Sequence, residues 1–162
     1  MKLPGDYVAG FIDGEGCFII VVSKHKTKKL RRDARVSFQI EVRDDDSEII
    51  ESIQETLGCG RIYHLSYERY GWKPHVKLMV SRINDLVTKI IPFFTRYPLR
   101  AKKKHSFELF CQAVSLVEAK RHLTQEGIDE LLNIRLRMNK YSKKYQASAR
   151  VRENRVPSWE KS

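Results

Sequence analysis

The sequence predicts an α+β domain. Two observations carry this reading: helical and strand periodicities follow one another in the order helix, strand, strand, helix, strand, strand, helix, and two further helical patterns come after them. With 162 residues, 41% of them hydrophobic, the chain can build one domain around a real core. We place that domain at residues 1–139 and read 140–162 as a basic C-terminal tail.

Each element has its own signal. Tyr7 and Phe11 lie one turn apart, as do Val8 and Ile12, so a short helix is expected over 6–13, with Gly14 able to end it. Residues 17–23 are dense in β-branched side chains and read as a strand. Val36, Phe38, Ile40 and Val42 then alternate with Arg35, Ser37, Gln39, Glu41 and Arg43, the pattern of a half-buried strand with a polar outer face. Asp46 or Ser47 can cap a helix running to Leu57, where Gly58 and Gly60 stop it. Residues 61–68 and 75–81 read as a hairpin-like pair around Tyr70, Gly71 and Trp72, with Val76, Leu78 and Val80 inward and His75, Lys77 and Met79 outward. Helices are expected over about 84–94, 102–118 and, capped by Thr124, 125–138. Beyond Lys140 the apolar periodicity fades and Pro157 interrupts, so a partly disordered tail is expected.

The charge balance points to a polyanionic partner. There are 31 Lys plus Arg against 20 Asp plus Glu, a net of +11, which makes nucleic acid the first candidate. An anionic membrane competes poorly, because no apolar run approaches the ~18 residues of a spanning helix. The stretch 24–35 concentrates positive charge, with Lys24, Lys26, Lys28, Lys29, Arg31, Arg32 and Arg35 against the single acid Asp33. Cys17, Cys59 and Cys111 are far apart and form no metal or disulfide pattern, and no signal segment precedes Tyr7. An intracellular setting is expected, organellar or bacterial alike. The five histidines show no paired ligand spacing, and no small-molecule substrate is expected.

One stretch carries chemistry. In AGFIDGEG, residues 9–16, two small residues interrupt an apolar helix and a lone glutamate stands between glycines. An EF-hand register would put Phe11 and Val22 where oxygen ligands are required, so calcium of that type is excluded. Ala9 and Gly10 instead allow a second helix backbone to approach, and a copy of the same helix would set Glu15 beside its twin. Paired carboxylates repel unless a divalent cation lies between them, and oxygen ligands favour Mg²⁺. The interface of such a dimer is expected at Val8, Ala9, Gly10, Ile12 and Asp13.

VAGFIDGEG, residues 8–16, resembles the signature of the LAGLIDADG homing endonucleases. LGCGRI at 57–62 and FFTRYPLRAKKKHSFELF at 93–110 are similar to that family as well. The resemblance implies an αββαββα core with a four-stranded antiparallel saddle laid in the DNA major groove, plus additional C-terminal helices. Its signature occurs once, which in this family implies a homodimer acting on a long, near-palindromic double-stranded site. Carried over residue by residue, Glu15 is the metal-binding acid, the Gly14 carbonyl the adjoining backbone ligand, and Asp13 a structural acid. The metal is Mg²⁺, with Mn²⁺ able to substitute.

Lys102 matches the basic residue that meets the charge developing on the phosphate, with Lys103 the neighbouring choice. Where family members place a water-ordering polar residue the chain has Val42, and Gln39 is the nearest polar candidate. DNA contacts are expected from the basic stretch 24–35 and from Ser37, Gln39, Arg43, Arg61, Tyr63, His75, Lys77 and Lys103. A maturase-like binder of intron RNA and a non-cleaving DNA-binding protein would use the same surface. Both are disfavoured, since neither gains from carboxylates paired beside phosphate.

Overall fold

A computed structural model describes residues 1–140. The expectation for the tail falls on 141–162 and lies outside the described residues. The elements are α1 (Gly5–Glu15), β1 (Gly16–Lys24), β2 (Arg32–Arg43), α2 (Ser47–Leu57), β3 (Arg61–Leu65), β4 (His75–Val80), α3 (Ile83–Asp85), α4 (Ile91–Arg96), α5 (Lys103–Glu118) and α6 (Gln125–Asn139). The fold is α+β, in the order the periodicities predict.

The strands form one antiparallel sheet in the order β1-β2-β4-β3. Register follows from side-chain alternation: Phe18 pairs with Phe38 and Ile40 with Leu78, which puts Phe18, Ile20, Val36, Phe38, Ile40, Val76, Leu78 and Val80 on one buried face. The helices cover that face, and the core runs from Val8 and Ile12 through Ile50 and Ile53 to Phe110, Val114, Ile128 and Leu131. At its centre Phe18 meets Phe38, Phe94, Phe107 and Phe110 with ring centroids 5.1 to 6.0 Å apart. Such aromatic clusters add to the stabilisation from burial alone.

Several boundaries differ from the sequence reading, among them the start of β2, which begins at Arg32 inside the basic stretch. α1 does not stop at Gly14 but runs through it to Glu15, and the chain turns into β1 at Gly16. A side chain at Gly16 would come within 2.5 Å of Ile12 Cγ2, so the tight junction needs glycine there. β3 ends at Leu65 because Tyr67 folds into a local turn, its carbonyl accepting the amides of Tyr70 at 2.9 Å and Trp72 at 3.2 Å. The helix expected over 84–94 extends from Ile83 to Arg96 but contains a π-helical turn at Leu86–Ile90. Pro92 follows directly, and since it carries no amide hydrogen the α-helical ladder cannot continue through it. Gly58 ends α2 at φ 70° and the Thr124 hydroxyl accepts from the Gly127 amide at 3.1 Å, as read, but at the start of α2 the N-cap residue Asp46 makes no side-chain capping hydrogen bond.

Candidate functional site

The end of α1 is tied to the start of α5. The Asp13 carboxylate accepts the backbone amides of Arg100 at 2.8 Å and Ala101 at 3.2 Å, and the Lys103 ammonium donates to the Gly16 carbonyl. Together with β1 and the last turn of α6, these segments wall a cleft of about 540 Å³. Lys102, exposed at the first turn of α5, and Lys103 both line it. Glu15, the last residue of α1, is exposed beside this cleft and makes no hydrogen bond or ion pair among the described residues. The Gly14 carbonyl belongs to the final helical turn, whose carbonyls lack intrahelical donors.

The donors fit a hard divalent cation in kind, being a carboxylate and a carbonyl oxygen. In number one chain is short: among the described residues no group of three or more His, Cys, Asp or Glu could hold a metal ion. A second copy would double the donor set.

The expected interface residues divide. Val8, Ala9 and Ile12 do not face outward; they are buried in the chain's own core at 0%, 4% and 0% exposure, because the apolar stripe of α1 packs on the sheet. The open face of α1 is formed by Tyr7, Gly10 and Gly14. A side chain added at Gly10 or Gly14 would meet nothing within 4 Å.

The outer face of the sheet holds most of the expected contact residues. Gln39 lies between Cys17 on β1 and Met79 on β4, and Met79 is followed by Arg61 on β3. The Gln39 amide donates to Ser37 Oγ at 3.0 Å and Met79 Sδ at 3.3 Å, and its oxygen accepts no hydrogen bond among the described residues. Arg61 and Tyr63 are exposed on the edge strand. Ser37 departs from expectation: it is only 9% exposed, set between Ile19 and Gln39, and serves to hold Gln39.

Several expected cations are already engaged. Lys77 pairs with Glu41 at 3.0 Å, and the Tyr67 hydroxyl donates to the same carboxylate at 2.7 Å. Burial alone would raise the Glu41 pKa, but these hydrogen bonds outweigh it and hold the carboxyl below its ordinary value. Arg43 pairs with Asp45, and His75 packs edge-on to Tyr67 with centroids 4.9 Å apart.

In the basic stretch, Lys28 and Arg35 both bind the buried carboxylate of Asp33, so neither is an unengaged cation. The hydrogen bond from Lys28, assisted by Arg35 and opposed by desolvation, lowers the Asp33 pKa. The stretch is ordered further by His25 Nδ1, which accepts the amides of Thr27 and Lys28 at 3.3 Å. Lys24, Lys26, Lys29, Arg31 and Arg32 remain exposed.

Sequence reasoning missed the contribution of α6. Arg135 lines the cleft and lies on the flank of the buried stripe Ile128, Leu131, Ile134 and Met138. An arginine one turn after Leu131, beside that stripe, was the available signal.

A helix ending in an exposed acid, a lysine-lined cleft and a four-stranded sheet with a polar outer face together define a known class. The model of the LAGLIDADG endonuclease family matches residues 8–114, and the chain belongs to that family. Among curated relatives, the probable intron-encoded endonuclease 3 of Neurospora crassa is 38% identical over 131 residues, 81% of this chain and 24% of that protein. The chain thus spans about a quarter of that relative's length. Of solved structures, the homing endonuclease I-TnaI superposes with TM-score 0.77 at 29% identity, covering 94% of this chain and 98% of that one. I-SmaMI bound to uncleaved DNA target in the presence of calcium ions gives TM-score 0.76 at 30% identity over 84% of this chain and 45% of that one. Among the described residues no helix is long and apolar enough to cross a membrane.

Proposed function

We propose that this chain, as one domain over residues 1–139, is half of a homodimeric, Mg²⁺-dependent endonuclease that cuts a long, near-palindromic double-stranded DNA site. The observation that carries the reading is Glu15: a solvent-facing carboxylate with no partner among the described residues, at the end of a helix with an open glycine face, beside a cleft lined by lysines. A carboxylate so placed is unused by a single chain. Two copies joined along α1 would bring two such acids and two Gly14 carbonyls together.

In this reading Glu15 and the Gly14 carbonyl hold the cation, for which Mn²⁺ can substitute. When bound, the metal supplies an activated water and charge neutralisation at the leaving oxygen. Lys102 and Lys103 balance the charge that develops on the phosphodiester. Gln39 offers its free amide oxygen to a water or a base edge. Asp13 does no chemistry; it fixes the backbone ahead of Lys102. The exposed cations Lys24, Lys26, Lys29, Arg31 and Arg32, with Arg61 and Tyr63 on the sheet, track the duplex, as a β-ribbon surface fits the major groove. Intron-encoded relatives support expression in a compartment that holds the DNA it cuts.

The test is selection of cleaved duplexes from a randomised library in Mg²⁺, followed by comparison of wild type with Glu15→Gln on the recovered site. The variant is expected to bind within a few-fold of wild type and to cut at least a thousandfold more slowly. Tight binding of structured RNA with no cutting of any duplex would overturn the proposal in favour of an RNA-binding role.

A further inference from the structure

We infer that Arg135, on α6, is a phosphate-binding residue of the cleft, gripping the DNA backbone opposite the α1 terminus. The inference rests on the nuclease reading and extends it beyond the region that the family model matches, which ends at residue 114.

Four observations carry it. Arg135 is half-buried, and its guanidinium has no hydrogen bond or ion pair among the described residues. It lines the same cleft as Lys102, Lys103 and Gly14, with Phe18 and Met138 supplying apolar wall. Among the described residues the only carboxylate in that wall is Asp13, and it is committed to the amides of Arg100 and Ala101. The cleft is large enough, at about 540 Å³, to admit a phosphodiester.

A cation withdrawn partly from water without a counter-ion is unfavourable, and an arriving anion removes that penalty. Among anions a phosphodiester fits best: the planar guanidinium fork can donate two parallel hydrogen bonds to its non-bridging oxygens, while the lysines act as point charges. Because Arg135 is carried by α6 and the lysines belong to the start of α5, the guanidinium would fix the backbone's orientation rather than only add charge.

The test separates binding from cutting. The slope of log K against log salt for the selected duplex is measured for wild type, Arg135→Gln and Arg135→Lys. Loss of one phosphate contact should flatten the slope by about 0.9 for each copy of the chain on the duplex. Arg135→Gln is expected to show that flattening, with a raised KM and a smaller change in kcat. Arg135→Lys should keep the slope, since charge is retained, but lose part of the KM recovery.

Should Arg135→Gln fold poorly, phenylglyoxal modification of the wild-type chain gives a second reading: Arg135, located by peptide mapping, should be protected by duplex. An unchanged slope in a folded Arg135→Gln, or equal modification with and without duplex, overturns the inference while leaving the nuclease reading intact. Binding without cutting would sink the nuclease reading and still decide Arg135 through the slope. A chain that binds no duplex overturns both.

Discussion

Replacing Gly10 with alanine tests the proposed dimer most directly, because the effects on the single chain and on the pair have opposite signs. Within one chain a Cβ at Gly10 meets nothing within 4 Å, and the residue is in the middle of α1. The substitution should therefore stabilise an isolated chain by about 0.5–1 kcal/mol, through the helix propensity of alanine over glycine. If Gly10 lies where two α1 helices meet, the added methyl group overpacks the seam at a cost of roughly 1–3 kcal/mol per site. The seam contains Gly10 from both copies, so the dimer loses about 2–6 kcal/mol, and its Kd rises by roughly 30-fold to more than 10⁴-fold.

Sedimentation velocity over a dilution series reads the dimer, and urea unfolding of the dilute chain reads the monomer. Expected is a variant that dissociates at concentrations where wild type is paired, while its dilute form unfolds at slightly higher urea. Ala9→Val makes the contrast. Ala9 is 4% exposed in the chain's own core, so its enlargement should lower the fold's stability by about 1–3 kcal/mol. A Gly10→Ala protein that dimerises and cuts like wild type would refute the placement of the seam on the Tyr7, Gly10 and Gly14 face.

The remaining predictions concern other parts of the molecule. Asp13→Asn keeps one acceptor oxygen for the Arg100 and Ala101 amides and Asp13→Ala keeps none, so urea midpoints should fall in that order, by about 1–2 kcal/mol for alanine since the site is partly solvated. Cleavage should fall further than stability does, because the same bonds hold the backbone ahead of Lys102; equal cutting by all three proteins would refute that coupling. Asp33 has a lowered pKa in the folded chain, so its ionised form contributes stability that is present above its unfolded pKa of about 4 and lost as pH falls through the folded value. Urea midpoints of wild type should therefore drop below about pH 4 more steeply than those of Asp33→Asn, and parallel curves would count against the Lys28–Asp33–Arg35 cluster. Burial raises the Cys59 and Cys111 thiols to about 11, whereas Cys17 is exposed. Thiol labelling at pH 8 should modify Cys17 alone in the native chain and all three cysteines in denaturant.

Much of the fold was legible because it is written in local periodicity. The alternation from Arg35 to Arg43 specified which face of β2 is buried, and the register with β1 and β4 follows it residue for residue. Boundaries were less legible where a local alternative competes: Tyr67 starts a turn where a strand could continue, and Pro92 forces a wider helical turn where apolar spacing reads as unbroken helix. The motif stretch was read correctly as special but with its helix faces misassigned. Ala9 and Gly10 are both small, and spacing alone does not say which of two adjacent small residues turns toward the sheet.

By itself the sequence determined the element order, the sheet's apolar and polar faces, the excess positive charge and a short helix just ahead of Glu15, since each depends on residues near in the chain. Tertiary structure decided which of these groups are available. Lys28, Arg35 and Lys77 are cations in the sequence, but in the fold Asp33 and Glu41 engage them. Arg135 is not among the cations the sequence singles out, and packing of α6 against β1 leaves it in the cleft with no counter-ion among the described residues. The physical reason is that availability depends on what lies within a few ångströms in space. That distance joins Asp13 to Arg100 and Lys103 to Gly16, pairs that chain order keeps far apart.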